Sequence, residues 1–252
     1  MNTRDRRCLF FLGPRWWIVA VYALSMAWVE SAVVFYLRTF MDRIEPYQVN
    51  PLPEFGRFGL AEIMREAATL VMLGTVGYLA GTCRRSRLAY SLLAFGIWDL
   101  GYYVFLKILS GWPHSLADWD ILFLIPLPWW GPVWAPCAIA FIMVGLGTLS
   151  VDHSSGSLVA WPGDRDWWIA LAGAVLALGT FTYDALQGRQ LGVSMRSILP
   201  ESFATSVFLF GLLAMSLPLI QILRNRTVSN LPVNLWPELD RIRRESDGPS
   251  EK

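Results

Sequence analysis

Charged side chains inside apolar segments are the residues of this chain whose chemistry stands out. Glu30, Glu66 and Asp99 each lie within an otherwise apolar run, and so do Arg38 and Lys107. Placing an ionisable group in the hydrocarbon core of a membrane costs about 2.5–3.5 kcal/mol on insertion scales, so such groups mark binding sites, ion pathways or proton relays. We therefore expect these residues to form a functional site.

The spacing of these residues predicts that several of them share helix faces. Asp99, Tyr103 and Lys107 are at positions i, i+4 and i+8, and Glu30 and Arg38 are also eight residues apart. Each face then carries a deep carboxylate and a shallower base. We expect the two faces to border one polar pocket, to which a third helix contributes Glu66.

The chemistry predicted for this pocket follows from the residue types. Its acid–base groups or cation ligands would be Glu30, Glu66 and Asp99. Arg38 and Lys107 would neutralise an anionic group or the carboxylates. The full set of predicted substrate-binding residues is Arg38, Arg65, Tyr102, Tyr103, Lys107, His114, Asp118 and Asp120.

Several forms of chemistry stay open for this set. A divalent cation is one, because hard cations take oxygen ligands, although carboxylates on three helices have no diagnostic spacing. Haem, zinc and di-iron sites are disfavoured because the chain has only two histidines, His114 and His153. A proton relay through carboxylates and tyrosines, and a lipid or quinone pocket with aromatic walls, are the other two.

A purely structural interpretation of the charges inside the spans competes with these kinds of chemistry. Glu30 or Asp99 could be held by Arg38, Lys107 or Arg65 in internal ion pairs that keep the helices in register.

The pair Asp118 and Asp120 resembles the acidic pair with which membrane glycosyltransferases hold a metal and a phosphate-linked donor. The competing explanation is a turn in a loop and a helix N-cap, where Asp is common.

The elements that must position these residues are transmembrane helices. The chain has 252 residues, of which 54% are hydrophobic and 16% charged, whereas soluble domains carry about 25% charged residues. Apolar runs of about 20 residues predict an all-α bundle of six spans. The predicted spans are about 16–40, 61–82, 88–110, 133–151, 167–185 and 203–223.

Residues 111–132 are predicted to form a lid over the pocket. The apolar run from Ile121 to Ile125 is too short to span a membrane, and Pro126, Pro128 and Pro132 prevent a helix from continuing beyond it. We expect a re-entrant or interfacial segment that rests on the bundle. The alternative is that residues 121–134 cross the membrane, which would give seven spans.

Arginine clusters predict the orientation of the bundle. They fall at 4–15, 84–87 and 224–226, and six spans place all three on one side. The positive-inside rule makes that side cytoplasmic, in a bacterial-type inner membrane, with both termini inside. The predicted division is a basic segment 1–15, a transmembrane domain 16–223 and a largely disordered tail 224–252. A net charge of +1 gives no reason to expect nucleic acid as a partner.

Small residues predict where helices approach one another closely. Ala170, Gly173, Ala174 and Ala177 form a stripe on the fifth span, and Gly77 and Gly81 do so on the second.

The leading functional hypothesis is binding, with turnover or transport, of a small or lipid-borne solute or cation at the carboxylate pocket. The alternative is a non-catalytic accessory subunit of a larger membrane complex, whose partners are lipids and other membrane subunits.

Overall fold

A computed structural model describes residues 13–48, 56–124, 127–151, 161–190, 199–200 and 202–229. The elements in chain order are α1 (Pro14–Phe40), α2 (Gly56–Ala80), α3 (Arg84–Ser110), β1 (Trp119–Ile121), β2 (Trp130–Pro132), α4 (Trp134–Val151), α5 (Asp164–Gln190) and α6 (Thr205–Ser229). Most of the predicted basic segment 1–15, His153, Pro126 and most of the predicted tail lie outside the described residues.

All six helices in the described part of the chain are long and apolar enough to cross a membrane, which confirms the predicted all-α bundle of spans. The boundaries differ from the prediction by up to six residues, at the end of α6, and by four residues at the start of α3. This helix begins at Arg84, so the arginine cluster forms its first turn instead of a loop. Cys83 and Ser86 cap that turn reciprocally, which satisfies backbone groups that have no partner inside the helix.

The far end of the bundle is the end at which the turn 81–83 and residues 161–163 lie. Arg85 of α3 stands over the ring of Trp161 at 5.5 Å from its centroid. Trp16, in the first turn of α1, donates a hydrogen bond from its indole nitrogen to Thr148 Oγ1 of α4 at 3.1 Å. The first turns of α1 and α3 and the last turn of α4 therefore meet at the far end.

The hairpin end is the other end, where residues 41–48, 111–124, 127–133, 199–200 and 202–204 lie. The hydroxyl of Tyr47 donates to the carbonyl of Pro200 at 3.0 Å. Trp119 contacts the ring of Phe203 at 6.1 Å between ring centres. Helix α3 ends there at Gly111, whose φ of 78° is a left-handed conformation that favours glycine.

Two short strands between α3 and α4 form a β-hairpin, which the sequence did not predict. Strands β1 and β2 are antiparallel, with Asp120 opposite Gly131. The hairpin does not cross the bundle, so the seven-span alternative is wrong. Pro132 is tolerated in β2 because each strand of a two-stranded sheet has one edge that needs no partner, so its missing N–H costs no ladder bond.

The hairpin packs closely against α5. A Cβ added to Gly131 would stand 2.8 Å from the ring of Phe181, so only glycine fits this approach. Trp130 beside it is only 2% exposed. The hairpin is therefore a fixed part of the bundle core at this end.

Close helix contacts at small residues are confirmed at Gly77, Gly81 and Gly173. A Cβ on Gly173 of α5 would stand 2.5 Å from the carbonyl oxygen of Gly211 on α6, and one on Gly77 would meet Ser91 of α3. A Cβ on Gly81 would meet the backbone at the start of α3. Helix α6 continues to Ser229, so the first residues of the predicted tail are helical.

Candidate functional site

A cavity of about 320 Å³ lies at the hairpin end, between α1, α2, α3 and α4. The tip of the hairpin and a ring of α5 complete its wall. The three predicted carboxylates Glu30, Glu66 and Asp99 all line it, although they come from three different helices. The contribution of α4, through residues such as Ile139 and Met143, was not predicted because apolar residues of a span carry no signal of a cavity.

Arg65 of α2 ties its helix to α1 through the carboxylate of Glu30. Its guanidinium bonds Glu30 of α1, and its Nη2 lies 2.9 Å from Oε2 of Glu62, one turn earlier on α2. The hydroxyl of Thr69 donates to the other oxygen of Glu30 at 3.2 Å. Glu62 and Thr69 were missed, although the three-residue spacing of Glu62 and Arg65 is typical of a helix pair.

Arg38 binds the hairpin instead of the carboxylate on its own helix. Its Nη2 donates to Asp120 Oδ1 at 2.7 Å, and its guanidinium stands 4.4 Å from the ring centre of Trp112. Asp120 is fully buried, and also accepts from the hydroxyl of Tyr103 at 3.3 Å and from the backbone N–H of Ile121 at 2.8 Å. This cluster fixes α1, α3 and the hairpin to one another.

Glu66 joins α2 to the tip of the hairpin. Both oxygens of its carboxylate accept from the backbone N–H of Leu124, at 2.9 and 3.1 Å. Glu66 is 7% exposed, so this contact lies away from solvent. Its position makes Glu66 a link between a helix and the hairpin as well as a cavity residue.

Arg43, which follows α1, supports the loop above the cavity. Its guanidinium donates to the carbonyls of Pro46, at 3.0 Å, and Gln48, at 3.2 Å. Burial lowers the pKa of this guanidinium, which lies outside the helices. Arg43 was not predicted because it sits in a polar loop, where an arginine is unremarkable.

Asp99 differs from the other charged residues of the cavity. Its carboxylate lines the cavity beside Tyr102 and Tyr103 and makes no hydrogen bond or ion pair with any residue that the structure describes. The other six charged groups that line the cavity are each held by a hydrogen bond or ion pair within the protein. Asp99 is therefore the one cavity carboxylate without a partner among the described residues.

Aromatic rings form much of the remaining wall. Trp129 stacks on Phe181 with ring centres 6.4 Å apart, and contacts Phe123 at 5.2 Å. Phe123 in turn lies 6.4 Å from Trp98, which precedes Asp99 on α3. A small number of polar groups within apolar and aromatic walls is the usual composition of a small-molecule site.

Lys107 does not share the cavity with Asp99. It is exposed, and its Nζ donates to the carbonyl of Gly111 at 2.7 Å at the end of its own helix. The predicted common face fails because each helical residue turns about 100°, so positions eight apart differ by about 80°. The same rotation separates Glu30, which faces α2, from Arg38, which faces the hairpin.

His114 and Asp118 lie in the exposed loop before β1. Asp118 accepts from the backbone N–H of His114 at 2.7 Å and from the hydroxyl of Ser115 at 2.7 Å, so it closes a turn. Burial opposes ionisation, but the hydrogen bonds from Ser115 and His114 outweigh it and hold the pKa of Asp118 below its usual value. His114 Nε2 lies 3.2 Å from Glu45 Oε1.

The acidic pair Asp118 and Asp120 therefore does not act as one site. Asp118 faces its own turn, whereas Asp120 is buried against Arg38. Within the described residues, no group of three or more His, Cys, Asp and Glu is arranged to hold a metal ion. The set Glu30, Glu66 and Asp99 shares a cavity without forming a metal cluster.

Known protein families, characterised proteins and solved structures give no match to this chain.

Proposed function

We propose that this membrane protein binds a small, largely apolar solute, free or lipid-borne, in the cavity at the hairpin end. The observation that carries the proposal is a cavity of about 320 Å³, lined by aromatic rings and charged residues, inside a bundle of apolar helices. Ligand pockets in proteins commonly begin at about 300 Å³.

The ion pairs around the cavity give the site its rigidity. Arg65, Arg38 and Glu66 connect α1, α2, α3 and the hairpin, so the walls are fixed before a solute enters. A site that is already ordered loses less conformational entropy when it binds. Turnover or transport of the solute would follow from the same cavity, with Asp99 as the acid–base or ion-binding group.

The orientation that we propose puts the hairpin end outside a bacterial-type cytoplasmic membrane. Arg84, Arg85 and Arg87 belong to the far end, where α3 begins. Positively charged residues favour the cytoplasmic side of a membrane. Both termini would then be cytoplasmic, and the cavity would receive its solute from the outer half of the membrane.

Filling the cavity tests the proposal. Met143→Trp adds bulk to the cavity wall, and Met64→Trp is the matched control, because Met64 of α2 is 62% exposed. Native mass spectrometry of the purified proteins should find a small organic molecule or lipid on the wild type and on Met64→Trp. The same molecule should be absent from Met143→Trp.

The alternative is an accessory membrane subunit in which the charges only hold helices in register. It is favoured by the fact that six of the seven charged groups that line the cavity have protein partners. Identical bound molecules on wild type, Met64→Trp and Met143→Trp would support this alternative and contradict a binding role for the cavity.

A further inference from the structure

The three arginines that line the cavity are already engaged by the protein. Arg65 bonds Glu30 and Glu62, and Arg38 bonds Asp120. The third, at position 43, donates to backbone carbonyls of its own loop. An anionic ligand would have to take one of these guanidinium groups from its partner, and would leave a buried carboxylate or carbonyl without a bond.

The carboxylates of the cavity differ from its arginines, because one of them has no partner among the described residues. Glu30 and Glu62 share Arg65, and Glu66 accepts from the backbone N–H of residue 124. Asp99 alone among the described charged residues of the cavity has no hydrogen-bond or ion-pair partner. The site therefore offers one carboxyl group that a positively charged ligand could pair with, without breaking an existing contact.

The rings around Asp99 suit the same kind of charge. Trp98 is its neighbour on α3, and Phe95, Phe123 and Trp129 belong to the same wall. The face of an aromatic ring carries partial negative charge, and organic ammonium groups bind in cages of such rings. An ammonium group carried on an apolar body would use both the rings and the carboxylate.

We infer that the solute of this cavity is an organic ammonium cation, with Asp99 as its counter-ion and the aromatic wall as its cage. The inference rests on the proposed function, because it names the ligand class of the same cavity. The ammonium group lies next to Asp99 and against the rings of Trp98, Phe123 and Trp129, and the apolar part of the ligand fills the rest of the cavity.

Three probes that share one shape but differ in charge test which ligand charge the cavity prefers. They are benzyltrimethylammonium, its neutral isostere neopentylbenzene and the anion phenylmethanesulfonate. The full chain is purified in dodecyl maltoside, an uncharged detergent, so that no headgroup supplies charge. Equilibrium dialysis measures binding of radiolabelled benzyltrimethylammonium, and the other two compounds are tested as competitors.

We expect the cation to bind and both isosteres to compete weakly or not at all. Asp99→Asn keeps the shape of the side chain and removes its charge, and should weaken binding of the cation at least about tenfold. Asp164→Asn, in the exposed first turn of α5, is the matched control and should leave binding unchanged. If Asp99→Asn does not fold, the comparison of the three probes on the wild type decides the question.

The source of the ammonium group is distinguished by a further competitor. Dioctanoyl phosphatidylcholine carries the same quaternary ammonium on a lipid, and stronger competition by it than by free choline would identify a lipid-borne ligand. The reverse order would identify a free solute. Either result supports an ammonium site.

Two results would overturn the inference. If neopentylbenzene binds as tightly as the cation and Asp99→Asn has no effect, the cavity takes neutral solutes, and the proposed binding function stands without the ammonium assignment. If no probe binds, the ammonium assignment fails. If Met143→Trp in addition retains every molecule bound to the wild type, the proposed function fails as well.

Discussion

The two ends of helices α1, α3 and α4 are packed in different ways. Towards the far end the contacts are made by small residues: Ala23 of α1 and Ala89 of α3 are almost completely buried. A Cβ on Gly147 of α4 would stand 2.6 Å from the carbonyl oxygen of Ala89. At the hairpin end, the same helices carry arginines, carboxylates and large rings, and they surround a cavity.

This difference shows how one bundle combines stability with a site. Small residues let helix backbones approach closely, and the resulting van der Waals contacts hold membrane helices together without a hydrophobic driving force. Long and charged side chains keep the backbones apart, and the ion pairs between them fix the distance. The far end therefore stabilises the bundle by close contact, and the hairpin end surrounds a cavity.

The largest effect is expected when the close contact at the far end is blocked. Gly147→Leu puts a side chain where the backbone of Ala89 already lies, and backbone cannot move as a flexible side chain can. Overpacking a core costs about 1–3 kcal/mol, and we expect the upper part of this range or more here. Thermal unfolding and size-exclusion chromatography in detergent should show a large loss of folded protein.

Gly74→Leu is the matched control for this prediction. A Cβ on Gly74 of α2 would have no atom of another described helix within 4 Å, so its variant should remain close to wild type. Equal stability of the two variants would contradict the assignment of the far end as the tightly packed region.

The second largest effect is expected at the buried ion pair of the hairpin end. Arg38→Met leaves the carboxylate of Asp120 buried without its charge partner, and removing one partner of a buried pair costs about 3–5 kcal/mol. Thermal unfolding measures the loss.

The double variant Arg38→Met with Asp120→Leu removes both charges and should recover most of the lost stability. Failure of this rescue would indicate that the hydrogen bonds from Tyr103 and Ile121 to Asp120 matter more than its charge.

A smaller effect is expected for Glu30→Gln. Arg65 keeps Glu62 as its partner, and the amide of glutamine still accepts from Thr69, so no charge is left unpaired. The expected cost is about 1 kcal/mol, the typical value of one hydrogen bond. A melting temperature as low as that of Arg38→Met would show that the two ion pairs contribute equally.

A membrane-impermeant reagent should reach the far end and the hairpin end of the bundle from opposite sides of the membrane. This prediction concerns accessibility and not stability. Cys83 is exposed at the far end. In a Cys8→Ser, Cys137→Ser background, a membrane-impermeant maleimide should label it only in inside-out vesicles. Ser115→Cys, placed in a background that also carries Cys83→Ser, should react only in right-side-out vesicles. Labelling of both cysteines in one preparation would contradict the proposed orientation.

The rate of this labelling has its own prediction. A hydrogen bond with the side chain of Ser86, supported by the backbone of Ser86, lowers the pKa of the Cys83 thiol. Thiolate is the reactive form, so a thiol with a lowered pKa reacts faster at neutral pH. Ser86→Ala should slow the labelling of Cys83 at pH 7, and an unchanged rate would show that the hydrogen bond does not influence the thiol.

The sequence alone determined the six helices of this protein, although not its β-hairpin. Span length and hydropathy are local properties, so six helices, the break at residues 111–132 and the close contacts at Gly77 and Gly173 could be predicted without a structure. The same reasoning singled out Glu30, Glu66 and Asp99, because a carboxylate in an apolar run is conspicuous wherever it lies.

Only the tertiary structure decided which charges meet. Whether Glu30 bonds Arg38 or Arg65 depends on the rotation of α1 and the position of α2. The spacing of residues along one helix fixes the angles between their side chains, but it does not say which neighbouring helix lies on each side. Spacing therefore predicted that Lys107 would line the cavity, whereas its side chain is exposed. The isolation of Asp99 is visible only in the packed bundle, where every other described charged residue of the cavity has a partner.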